Sequence, residues 1–140
     1  DASSSIAVEA ARAMYHLPYF HASIEFGEGA FTSHRDDPRG AMPAHAHIRY
    51  RPVEGPVTAS APGSIEHFLV ERYILYAEHD HRLYRAQVHH QPYPVQRAEL
   101  LELDETLIWA AGIRREDSLP LRHYAREVNV KVYPIERLDP

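Results

Sequence analysis

From Ala44 to Arg51 the chain alternates without a break, with Ala44, Ala46, Ile48 and Tyr50 on one side and His45, His47, Arg49 and Arg51 on the other. Only an extended strand with one dry face and one wet face sorts residues in this way, because successive side chains point to opposite sides of a sheet. Tyr19 to Phe26 does the same: Phe20, Ala22, Ile24 and Phe26 share one face, and Tyr19, His21, Ser23 and Glu25 the other. Gly27-Glu28-Gly29 supplies a turn into a further extended run, Ala30 to Arg35, so a hairpin is expected. Arg82 to His90 also reads as a strand, ending at His90-Gln91-Pro92-Tyr93-Pro94, where the prolines forbid a central paired strand. A last strand is expected over Ala125 to Tyr133, setting Val128, Val130 and Val132 against Asn129, Lys131 and Tyr133.

Helices separate these strands. Ser3 to Ser5 can cap a helix over Ile6 to Tyr15, which Pro18 stops. Ser64 is the expected N-cap of a second helix, in which Ile65, Phe68, Leu69, Tyr73 and Tyr76 recur at helical spacing to about Ala77 and face the core. Asp104 is placed to cap a short third helix, Glu105 to Ala111, closed by Gly112. Val53 to Gly63, rich in proline, glycine and small residues, reads as a surface connection, and His79 to His81 as a polar turn. About five strands, paired mostly antiparallel, and three helices make an α+β domain.

Composition bounds the chemistry. The 140 residues, 44% of them apolar, make one ordinary domain that buries on the order of 68% of its unfolded surface and can build a core without staples. With no cysteine, disulfide scaffolds, iron–sulfur clusters and thiolate catalysis are excluded. No apolar run, Tyr73 to Ala77 being among the longest, is long enough to span a bilayer, and no signal-peptide pattern opens the chain. The chain begins at Asp1, so the numbering reads as starting inside a longer chain or after processing. A pI near 6.1 and scattered arginines speak against nucleic acid. Protonating all 11 histidines would move the net charge from −5 to +6, so surface charge swings strongly through mildly acidic pH.

Contiguous blocks carry a family resemblance. They are Pro62 to Tyr73, Leu83-Tyr84-Arg85 with Val88-His89-His90 and Pro92-Tyr93-Pro94, Asp104 to Leu107, and His123-Tyr124 with Val128 to Pro134. In these the chain resembles the YqjF-like family of uncharacterised bacterial proteins. Members usually have a further N-terminal stretch, so the resemblance is to roughly the C-terminal part of the family domain: residues 1–140 as one domain lacking its N-terminal strands. The resemblance implies a fold similar to acetoacetate decarboxylase, a twisted antiparallel sheet curled into a barrel, here incomplete, around a ligand-sized cavity. A cytoplasmic location is expected. An open sheet edge would then be covered by another subunit, making a homodimer one reading of the chain.

Schiff-base decarboxylation needs an amine whose pKa is depressed by burial or a cationic neighbour. The two adjacent lysines of the decarboxylase motif are absent, and the single lysine, Lys131, reads as a solvated strand residue, so that activity is not carried over. Arg72, four residues after Phe68, is expected beside the apolar seam of its helix. There it either forks onto a ligand carboxylate or pairs with Glu71, Glu66, Asp104 or Glu105, the simpler reading. Arg85, Gln87 and His89 share one strand face opposite Tyr84, Ala86 and Val88, and in a curled sheet they would line a polar-ended cavity; in a flat one they would simply be wet. His45-x-His47 and His89-His90 offer imidazole pairs but no complete ligand set, so no metal is expected. His123-Tyr124 could orient a ligand, with packing the simpler role.

The expected function is a binding module for a small amphipathic ligand, lipid-like or apolar with a carboxylate, using Arg72, Tyr73, Tyr84, Arg85, Gln87 and His89, with no cofactor and no catalytic set. The alternative is an enzyme moving protons on a carbonyl compound with Arg72, Arg85, His89 and Glu71. A shifted titratable group beside a concave pocket would mark it.

Overall fold

The computed structural model describes residues 1–39, 42–114 and 120–138. Helix α1 (Ser5–Tyr15) begins where the Ser4 hydroxyl accepts the Ala7 N–H at 3.3 Å and ends at His16, whose left-handed backbone (φ 54°) lets its N–H reach the Ala11 carbonyl. Strands β1 (Ser23–Gly27), β2 (Ala30–Arg35) and β3 (Ala44–Pro52) follow, then helix α2 (Ile65–Val70), capped by the Ser64 hydroxyl. Strands β4 (Ile74–His79), β5 (Arg82–His90) and β6 (Gln96–Glu105) lead to helix α3 (Leu107–Ala110) and to β7 (His123–Tyr124), β8 (Val130–Val132) and β9 (Glu136–Arg137).

The strands form two antiparallel sheets. One runs β1-β2-β3-β6-β7 and curls into a half-barrel; the other runs β4-β5-β8, with β9 also on β5. The fold class is therefore α+β, as the alternating segments imply. Cross-strand partners share a face, so the register aligns two rows on the concave side of the half-barrel: Phe26, Phe31, Ile48 and Leu103, and beside them Ile24, Ser33, Ala46 and Glu105. The convex side carries the opposite set. His45 pairs with Asp104 at 3.2 Å, His47 and Arg49 approach Glu102 at 3.7 and 3.8 Å, and Arg51 Nε donates to Glu99 at 2.6 Å. The imidazoles of His45 and His47 thus face carboxylates on the neighbouring strand.

Three expectations give way here. The helix after Ser64 stops at Val70, and the chain re-enters a sheet at Ile74. The cause is the turn downstream: Asp80 (φ 50°) and His81 (φ 59°) both take left-handed backbone, which joins β4 to β5 as a tight hairpin with His79 opposite Arg82. Ile65, Phe68, Leu69, Tyr73 and Tyr76 consequently do not face the core and are 40–59% exposed. Asp104 caps no helix; it lies on β6, the longest strand, and α3 starts after Thr106, whose hydroxyl instead accepts the His45 N–H at 3.0 Å. Of the strand expected over Ala125 to Tyr133 only Val130–Val132 (β8) is formed, because the chain there crosses from β7, paired with β6, to β8, paired with β5 in the other sheet. In all, the described residues hold nine strands rather than about five.

The buried apolar residues are small. Val8, Ala11, Ala22, Ala44, Ala46, Ala77, Ala86 and Val95 make up the apolar core, and the chain leaves many larger side chains, Phe26, Ile108 and Leu121 among them, at the surface. Val8 and Ala11 supply the buried face of α1, and polar contacts hold that helix against the loop after β2. Asp37, 6% exposed, accepts the His21 N–H at 2.9 Å, the Arg39 N–H at 3.0 Å and the Arg39 guanidinium at 2.9 and 3.0 Å, while Arg39 also pairs with Glu9 of α1. These bonds, the Arg39 side chain first, hold the Asp37 carboxyl well below the usual carboxylate range. A carboxyl whose pKa falls on folding stabilises the fold above its unfolded value, near 3.8 here, and that contribution drains away as pH drops toward the folded value. Stability against urea is therefore expected to decline between about pH 5 and pH 2. Asp37→Asn should flatten that slope; an unchanged slope in the variant would assign the acid sensitivity elsewhere.

Candidate functional site

The concave side of the half-barrel encloses a cavity of about 690 Å³. Four strands build its wall because the dry faces of β1, β2, β3 and β6 all turn inward: Phe26, Phe31, Ile48, Tyr50, Leu100 and Leu103 line it, over a floor of Ala46 and Ala98. Leu107 and Ile108 of α3 close one side, and Leu121 and Tyr124 another. The Phe26 and Phe31 rings sit 5.2 Å apart at 57°, and those of Tyr50 and Tyr124 6.0 Å apart at 34°. Such a concavity, mostly apolar with a few polar groups at its margin, is the usual form of a small-molecule site.

Its polar groups are unequal in their commitments. Glu99 is bonded to Arg51, and Glu105 accepts the Ile108 N–H at 3.1 Å at the start of α3. Arg122, half-buried, and Arg126 also line the cavity, flanking His123, Tyr124 and Ala125, and neither has a carboxylate partner among the described residues. The two-residue pairing of β7 with the start of β6, Gln96 to Tyr124 and Arg97 to His123, brings this segment to the groove.

The residues singled out from sequence lie elsewhere. Arg72 follows α2 and lays its guanidinium over the Phe68 ring at 3.7 Å, so the cation stacks on an aromatic face in place of the expected ion pair. The Tyr73 hydroxyl donates to Glu71, which also accepts the Tyr93 N–H at 3.0 Å, and the Tyr73 ring stacks on buried His90 at 4.5 Å. The Tyr73 bond holds Glu71 below its ordinary range, and the same bond raises the Tyr73 hydroxyl. Together these contacts tie the proline-broken segment to the entrance of β4. Tyr84 is half-buried against His16, their rings 4.8 Å apart. Arg85, Gln87 and His89 occupy the exposed face of β5, and Arg85 Nε donates to Glu136 at 2.6 Å. None of the six lines the cavity, and neither do Asp37, Arg39 or Glu71, whose titration the fold also shifts. Lys131 is exposed, its amine 4.7 Å from the Tyr133 ring centre.

The groove residues were hidden because each strand face reads as core, and only curling makes that core hollow. His123-Tyr124 was the one sequence signal at the site; the flanking arginines carried none.

The DUF2071 family model, described as an uncharacterized conserved protein, matches residues 1–129. The chain belongs to the DUF2071 family. It is 35% identical over 141 residues to the uncharacterized protein YqjF of Bacillus subtilis (strain 168), covering 98% of this chain and 57% of that protein. This DUF2071 chain therefore spans little more than half the length of that relative. No solved structure matches it. Among its described residues, no helix is long and apolar enough to cross a membrane.

Proposed function

We propose that this DUF2071 chain is a binding module for a small apolar or lipid-like molecule, held in the groove of the half-barrel. One observation carries the reading: four strands direct Phe26, Phe31, Ile48 and Leu103 into a 690 Å³ concavity that no side chain of the described residues fills. Apolar surface left concave and accessible gains on the order of 25 cal/mol per Å² when a ligand removes it from water. The volume falls within the range of about 300–1,000 Å³ that accommodates drug-sized ligands. The reading does not rest on Arg72, Tyr73, Tyr84, Arg85, Gln87 or His89, which face other surroundings.

Titration calorimetry and thermal shift with medium-chain fatty acids, alcohols and aromatic acids test the proposal. Leu103→Trp fills the middle of the groove and is expected to weaken binding about tenfold or more, while far-UV circular dichroism stays as in the parent. Absence of heat and of thermal shift with every one of these probes would overturn it.

A further inference from the structure

We infer that Arg122 and Arg126 form an oxyanion-recognition site at the β7 end of the groove, so that the molecule bound there is an amphiphile ending in a carboxylate or phosphate. The inference rests on the groove being a binding site and names the class of its ligand. Both arginines line the cavity, and they stand four residues apart around Tyr124, whose ring meets Tyr50 on the wall. Every other charged group at the margin, apart from the titratable imidazole of His123, already has work. Glu99 is held by Arg51, and Glu105 is turned to the first turn of α3 and is further engaged. The margin thus presents two guanidinium groups without a carboxylate partner among the described residues, directly beside an apolar wall.

That asymmetry selects a ligand. A cationic head group would meet two like charges and find both nearby carboxylates engaged. A neutral one would leave the half-buried Arg122 without a charged partner as it loses water. An oxyanion accepts from the planar guanidinium fork, and charge-assisted bonds of this kind are about twice as strong as neutral ones. The tail of the same molecule then lies along Tyr50, Leu100 and Ile48 toward Phe31.

Calorimetry at pH 8 with decanoate, decyl phosphate and decanol separates the head group from the tail. The parent protein is expected to bind at least one of the two anions about tenfold more tightly than decanol, with a preference that shrinks as salt rises. Arg122→Gln with Arg126→Gln should abolish the preference by lowering the affinity for the anions to that for decanol, and far-UV circular dichroism as in the parent reports that the fold is intact. Arg122→Lys with Arg126→Lys should restore part of the preference. Equal affinities for the three probes, or a preference that survives the double Gln change, would overturn the inference while leaving the groove as a binding site. Failure of all three probes to bind would overturn the groove reading itself, and the inference with it.

Discussion

Gly29→Val is expected to lower the stability of the domain by about 3 kcal/mol. Gly29 closes the β1–β2 turn with φ +69°, and a Cβ there would stand 2.6 Å from the Tyr50 carbonyl oxygen. Both penalties apply at once, since an L side chain resists that backbone region and the obstacle is main chain, which cannot swing away. Relief by moving the strands is blocked because the Gly29 carbonyl accepts the Tyr50 N–H at 2.8 Å, at the place where the β3–β6 register shifts by one residue. Gly27, two positions earlier, has open space around its missing Cβ, and Gly27→Ala should stay within about 0.5 kcal/mol. Urea unfolding of both variants checks this; comparable midpoints for the two would mean that the turn tolerates a side chain after all.

Val8→Asp should cost about 4 kcal/mol. Val8 is 0% exposed and is one of the two largest fully buried side chains. A carboxylate at that point would lose its water with no arginine close by in α1 except Arg12, which already donates to the Tyr19 carbonyl and leans on Phe20. A domain of this size has roughly 5–15 kcal/mol in total, so the loss is a large share of what there is. Ile6→Asp provides the contrast: Ile6 is 83% exposed on the same helix, and its replacement should move the urea midpoint little. If Val8→Asp unfolds at the parent midpoint, α1 is not part of the cooperative core.

Much of the sheet was legible because alternation is a local property. β3 sits where the periodic faces put it, the β1–β2 hairpin turns where the glycines put it although β1 begins at Ser23 and not at Tyr19, and β5 covers Arg82–His90 as read. The convex face of β3 is equally plain in hindsight: four cationic or titratable residues two apart require acids on the next strand, and Glu99, Glu102 and Asp104 provide them. That complementarity was the available signal for β6. It is easy to miss, because Gln96–Glu105 is rich in glutamate and leucine, which favour helices, and only the pairing with β3 overrides the preference. Residues 65–77 failed for the opposite reason: the apolar spacing fits a helix, yet Tyr73 to Tyr76 are equally good strand residues. A turn with two left-handed residues at Asp80 and His81 decides the matter from outside the segment.

The sequence by itself determined the two-sided faces of β3, β5 and the β1–β2 hairpin, since side-chain alternation follows from backbone geometry alone, and it excluded thiolate and paired-lysine chemistry by composition. Only the tertiary structure decided that the dry faces of β1, β2, β3 and β6 enclose a hollow rather than meet a packed layer, and that Arg122 and Arg126 stand at its margin while Arg72 and Arg85 do not. Curvature of a sheet and the meeting of β7 with β6 are long-range events, set by pairing between segments far apart in the chain, and no local spacing encodes them.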